Sequence, residues 1–174
     1  MDDLFEPRAE KIADQERKIQ AGIDAKAGEG GEDSDKAVQA GARRYPEPPF
    51  PKQHQTKPGD EAALDPAPMY DAPFWKGSGK LEGMAAIITG GDSGIGRAVA
   101  VLFAREGCDV AICHLDEDGD AAATKAAVEA EGRKAIVLQG DAADPAFSEA
   151  AVKATLNAFG RLDVVVPNAA FQEH

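Results

Sequence analysis

The chain is short of positive charge, aromatic side chains, cysteine, histidine and long apolar runs, and each shortage removes a class of function. Nineteen Lys and Arg stand against 31 Asp and Glu, a formal net charge of −12. With no basic stripe to neutralise phosphates, nucleic acid is excluded as a partner. No apolar run approaches the roughly 20 residues of a bilayer span, and the acidic first ten residues lack the apolar core of a secretory signal. A cytoplasmic protein without membrane attachment is therefore expected. The two cysteines, Cys108 and Cys113, have a spacing that fits neither a redox Cys-x-x-Cys nor a zinc site. They are expected to be buried thiols in a reducing compartment.

Groups for proton transfer are equally scarce. The three histidines are His54, His114 and His174, and none is read as a catalytic base. A tyrosine acts as general acid or base only when a neighbouring cation lowers its pKa from about 10. The two tyrosines, Tyr45 and Tyr70, are followed four residues on by Pro49 and Phe74, so neither presents a lysine one helical turn away. No residue present is assigned a catalytic role.

What the chain does contain is unevenly spread. Residues 1–44 are charged and Ala-rich, with glycines at 28, 30 and 31, and are expected to be mostly disordered. A weak helix is conceivable from Pro7 to Ala27, where Ile12, Ile19 and Ile23 would form a sparse stripe. All but two of the eleven prolines precede residue 80. They make 45–83 an extended arm rather than a helical segment. Phe50, Met69, Tyr70, Phe74 and Trp75 are too many large apolar groups to leave in water, so the arm is expected to lie on the folded domain or on a neighbouring copy.

From 84 to 174, short β-branched runs alternate with helical runs, the pattern of a parallel sheet with crossover helices. Strands are expected at Ala85–Thr89, Val110–Cys113, Ala135–Gln139 and Asp163–Val166. Helices are expected at Gly94–Glu106, Gly119–Glu131 and from Pro145, with Asp144 as N-cap, to Gly160. The first helix would bury Ile95, Val99, Leu102 and Phe103 on one face. Right-handed crossovers give an α/β, Rossmann-type sheet of about four strands in the order 3-2-1-4, with helices on both faces. The outer edge of Val164–Val166 would then stand open to association, for instance with another copy of the chain.

The most informative stretch is Thr89-Gly90-Gly91-Asp92-Ser93-Gly94-Ile95-Gly96, between the first strand and its helix. A strand that breaks into glycines and opens a helix gathers free backbone N–H groups at the positive end of a helix dipole, which suits a pyrophosphate. Gly90 makes the turn, Gly94 admits the phosphates and Gly96 lets the helix pack closely. Asp92 is a turn residue of this cradle, since no Gly-Lys-Ser/Thr follows to suggest magnesium. The acids Asp116, Glu117, Asp118 and Asp120 fail the calcium-loop spacing and are better placed as the opening of a helix. No metal site is read anywhere.

The spacing Thr-Gly-x-x-x-Gly-Ile-Gly resembles that of the short-chain dehydrogenase/reductase family. Gly140-Asp141, Leu162-Asp163 and Asn168-Ala169-Ala170 follow in the family's order, and Pro46 to Gly83 is similar to the arm of a bacterial subgroup. The resemblance implies a nicotinamide dinucleotide held by Gly90, Asp92, Ser93, Gly94, Ile95, Gly96, His114, Asp141 and Asn168, with Asp141 at the adenine. Pro167 departs from the Asn-Asn-Ala-Gly pattern. An acid at the end of the second strand would favour NAD; His114 stands there, with Asp116 two residues on, and with Ser93 it tips the balance to NADP. The family passes its proton through Ser and Tyr-x-x-x-Lys, which lie beyond Asn-Ala-Ala and are not found here. The expectation is the cofactor half of an NAD(P)-dependent oxidoreductase of carbonyls and alcohols, inactive alone. The alternative is a non-catalytic dinucleotide-binding or subunit-interaction module.

Overall fold

The computed structural model describes residues 45–46, 48–53 and 61–170. The expected helix over 7–27, His54 and His174 lie outside them. The chain divides into two units at Glu47 and Pro48. Only Tyr45 and Pro46 of the first are described, both exposed, and all that follows concerns the second.

Four parallel strands form one sheet: β1 (Ala85–Thr89), β2 (Asp109–His114), β3 (Ala135–Gln139) and β4 (Val164–Pro167). Their order is β3-β2-β1-β4, as the crossover rule requires. β1 runs from Ala85 opposite Asp109 to Thr89 opposite Cys113 on one side, and pairs Ala86–Thr89 with Val164–Pro167 on the other. Being central and covered on both faces, β1 and β2 read as unbroken apolar runs rather than as alternation. Ile88 and Ile112 are completely buried, each stabilising the fold by about 1.5–3 kcal/mol.

Three helices cover the sheet: α1 (Gly94–Arg105), α2 (Asp118–Ala130) and α3 (Pro145–Phe159). On one face Ala100 and Ala104 of α1 and Val128 of α2 pack with Ile88, Val110 and Ile112. On the other, Ala151 of α3 joins Ile87, Ala111 and Cys113, with Phe147, Phe159 and Leu162 around them. Helix α3 begins as its sequence indicates: the Asp144 side chain accepts from the Ala146 N–H at 2.9 Å, Pro145 follows, and Gly160 closes the helix at φ 77°. Among the described residues, no helix is long and apolar enough to cross a membrane.

The face that α1 turns inward differs from the expected stripe. Ile95 is 77% exposed, while Gly96, Arg97, Ala100, Val101 and Ala104 are buried. Gly96, Ala100 and Ala104 recur every fourth residue and bring the helix axis close to the sheet, so Val99 and Phe103 flank the contact half-buried. The fourth strand also sits one residue later than expected and ends on Pro167, opposite Thr89. A proline is tolerated there because the strand is at the sheet edge. Val165 on that edge is 58% exposed. Asp163, just before β4, accepts from the Ala85 N–H at 2.9 Å and from Arg161 at 2.7 Å, which ties the entrances of β4 and β1 together. Arg161, then the Ala85 N–H, holds the Asp163 carboxyl below the usual carboxylate range.

The described part of the segment before β1 includes a short 3-10 helix, Glu61–Ala63, and packs along α1. Trp75 Nε1 donates to Glu106 at 3.1 Å, Ser78 N–H and Lys80 N–H to the same carboxylate at 2.9 and 3.1 Å, and Arg105 reaches Asp71 at 2.8 Å. Of the apolar groups expected to be covered, Met69 and Tyr70 are half-buried, whereas Phe50, Phe74 and Trp75 are 50%, 67% and 50% exposed.

Candidate active-site cleft at the carboxyl ends of the strands

The turn from β1 into α1 is forced by two glycines. Gly90 takes φ 60°, a left-handed conformation that L side chains rarely adopt. A Cβ on Gly96 would fall 1.9 Å from the Gly90 carbonyl oxygen and 2.8 Å from Asn168 Nδ2. The first turn of α1 therefore folds back against the loop only because position 96 has no side chain. Ser93 is the N-cap, but its side chain makes no capping bond. The loop surrounds one end of a cleft of about 550 Å³.

Seven of the nine expected residues line this cleft: Gly90, Asp92, Ser93, Ile95, His114, Asp141 and Asn168. Gly94 and Gly96 belong to the loop but are not on the wall. Asn168 is attached to the loop by its own amide: Nδ2 donates to the carbonyls of Thr89 at 3.1 Å and Gly90 at 3.0 Å. The Asn168 and Ala169 N–H groups both donate to Thr89 Oγ1 at 3.0 Å. The end of β4 and the glycine turn are thus one hydrogen-bonded unit. Asp141, at the exit of β3, is exposed and accepts from Ala143 N–H at 2.8 Å.

Two polar atoms on the wall are buried without a partner, His114 Nδ1 and Glu117 Oε1. His114 is 4% exposed, and its Nε2 lies 3.7 Å from Asp118 Oδ1. The other Glu117 oxygen accepts from the Asp116 N–H at 3.1 Å. Asp116, the acid singled out in the sequence, is exposed and off the wall. The neighbouring Glu117 takes that place because it occupies the N-cap position of α2, where the chain turns back from β2. Cys113 also faces the cleft, and burial pushes both its thiol and that of Cys108 up to about 11. Both thiols are protonated at neutral pH and poor nucleophiles.

Sequence reasoning passed over the residues that support the loop. Arg97 is 6% exposed, and its Nε donates to the Asp92 carbonyl at 2.9 Å and to Thr124 Oγ1 at 2.8 Å. Its two outer nitrogens reach Glu61 Oε1 at 2.7 Å and Asp120 Oδ1 at 3.0 Å. The guanidinium lies 5.1 Å from the centroid of the Tyr70 ring. One signal was available: a cation in the first turn of a helix opposes the dipole and needs carboxylates beside it. Nothing in the sequence pointed to Glu61.

The short chain dehydrogenase family model matches residues 84–174. The chain belongs to this family. It is 48% identical over 121 residues to the oxidoreductase YhdF of Bacillus subtilis, a match covering 69% of this chain and 42% of YhdF. A crystal structure of a short-chain dehydrogenase from Burkholderia cenocepacia in complex with NADP is 44% identical, with a TM-score of 0.52 over 53% of this chain and 38% of that one. The carveol dehydrogenase of Mycobacterium avium, in complex with NAD, is 31% identical with a TM-score of 0.51. The chain thus spans less than half the length of these relatives, and the family's nicotinamide dinucleotide is the cofactor its cleft must be tested against.

Proposed function

We propose that the cleft holds a nicotinamide dinucleotide and that the chain is the cofactor-binding part of an NAD(P)-dependent oxidoreductase of alcohols and carbonyls. The observation that carries this reading is the glycine turn at the start of α1, where Gly90 takes φ 60° and Gly96 lies too close to the Gly90 carbonyl to bear a Cβ, with Ser93 and Ile95 of the same loop on the cleft wall. Ser93 and Ile95 would hold the phosphates at the helix N-terminus. Asp141, His114 and Glu117 would meet the adenosine end, and Asn168 would keep the glycine turn in register. The bound nucleotide would accept or deliver hydride. The proline-rich arm over 45–83 would brace the dinucleotide-binding domain of 84–174. The thiols of Cys108 and Cys113, unpaired in the structure, support a reducing, cytoplasmic setting.

The 174 residues contain no Tyr-x-x-x-Lys pair, and we infer that they bind the nucleotide without turning it over. NADP is favoured by the unpartnered His114 Nδ1 in the cleft, and the relative bound to NADP supports that choice. The unpartnered Glu117 Oε1 favours NAD, because a carboxylate accepts from a ribose hydroxyl and repels a phosphate. Titration with NADPH and with NADH, read by nucleotide fluorescence and by the melting temperature, separates the two. Binding of either nucleotide, without oxidation across a carbonyl panel, is the expected result. Absence of binding by both would refute the cleft assignment, and steady turnover would refute the inference of inactivity.

A further inference from the structure

Glu61 belongs to the short 3-10 helix of the arm, 33 residues before Gly94, yet it is only 8% exposed. One carboxylate oxygen accepts the backbone N–H of Gly94, and the other accepts from Arg97 Nη1 at 2.7 Å. The Glu61 N–H donates to Asp120 Oδ2 at 3.0 Å. Arg97 passes the contact on to the Asp92 carbonyl, which also accepts from Thr124 Oγ1 at 2.6 Å. Asp92, Ser93 and Ile95 line the cleft, whereas Glu61 does not. A carboxylate from the arm thereby holds residues 92–94 from outside the cleft while their neighbours face into it.

We propose that Glu61 is a positioning residue for the glycine loop, and that docking of the arm and binding of the dinucleotide are positively coupled through residues 92–95. The proposal rests on the dinucleotide reading. A loop already fixed on one side loses less freedom when a ligand binds on the other. Coupling of this kind is reciprocal, so the dinucleotide also holds the arm in place. Arg97 pairs with both Glu61 and Asp120 and offsets one of their two charges.

The test compares the full chain with E61A, with E61Q and with F74A, which alters an exposed group elsewhere on the arm. Amide hydrogen exchange without nucleotide comes first. E61A is expected to speed exchange at residues 90–95 by about tenfold or more while amides of β2 and β3 keep their protection. E61Q, which retains one acceptor oxygen, falls between E61A and the parent, and F74A matches the parent. Titration with NADPH and NADH follows, with an expected loss of affinity of about tenfold in E61A, and with nucleotide slowing proteolysis of the arm in the parent and F74A but not in E61A. A folded E61A with parental loop exchange and parental or tighter nucleotide affinity would overturn the proposal. If E61A does not fold, the same readings on E61Q decide. If the parent binds neither nucleotide, the cleft assignment fails by itself, and the exchange data still show whether Glu61 orders the loop.

Discussion

The arm holds α1 at both ends, and the two attachments use similar residues in different surroundings. At the N-terminal end, Arg97, Glu61 and Asp120 have side chains 7%, 6% and 7% exposed. At the C-terminal end, Arg105 is shared between Asp71 and Glu131, which are 43% and 26% exposed. Each end also carries a charge of the sign its dipole disfavours, Arg97 in the first turn and Glu106 at the C-cap. Specific partners override that preference of about 0.3–1 kcal/mol. The difference between the ends lies in what they border. The buried network touches the loop of the cleft, whereas the C-terminal network touches the arm, the turn into β2 and, through Glu131, the end of α2. The first ties stability to the site, and the second ties down the arm.

The sharpest way to break this comparison is Arg97→Met. It leaves Glu61 and Asp120 buried near each other without their cation, and a loss of about 3–5 kcal/mol in urea unfolding is expected. A loss no larger than that of an exposed pair, about 1 kcal/mol or less, would place the two ends in the same class. Next in size is Gly96→Ala, whose Cβ would collide with the Gly90 carbonyl. It should cost about 1–3 kcal/mol and abolish nucleotide binding; an alanine variant that titrates like the parent would show that the helix does not need so close an approach.

Glu106→Gln probes the other end through pH. The backbone N–H groups of Lys80 and Ser78 hold the Glu106 carboxyl down at about 2, from an ordinary value of 4.5. Because the folded-state value is depressed, its contribution is complete above about pH 4.5 and is lost as pH falls toward 2. The melting temperature of the parent should therefore fall more steeply than that of E106Q across that window, and parallel curves would count against the bonds to Glu106. The smallest effect contrasts the two sides of the N-terminal end, where Glu61 has partners for both oxygens and Glu117 has one oxygen without. Removing the Glu117 charge in E117Q should shift the NADP-to-NAD affinity ratio toward NADP by roughly threefold to tenfold. An unchanged ratio would mean that Glu117 does not face the ribose.

Periodicity made much of the fold legible, because strand, helix and turn signals are local. The apolar run of β1, the Asp144–Pro145 helix start and the glycine loop each depend on residues within one turn of each other. Helix α1 shows where such reading stops. A large apolar stripe was the natural choice for its inner face, but a close approach to the sheet selects small residues and turns Ile95 outward. At the end of β2 the acids were visible, yet which of Asp116 and Glu117 faced the cleft depended on the geometry of the turn into α2.

The sequence by itself determined the strand order, the glycine loop and the family, since these follow from spacing along the chain and from the hand of the crossovers. Only the tertiary structure decided that Glu61 meets Gly94 and Arg97, that Asn168 locks the glycine turn, and that Glu117 lines the cleft. Glu61 is 36 residues from Arg97, and Asn168 is 78 from Gly90. Contacts of that separation leave no periodic trace, because they arise only when packing of the sheet and its helices brings distant side chains to one point.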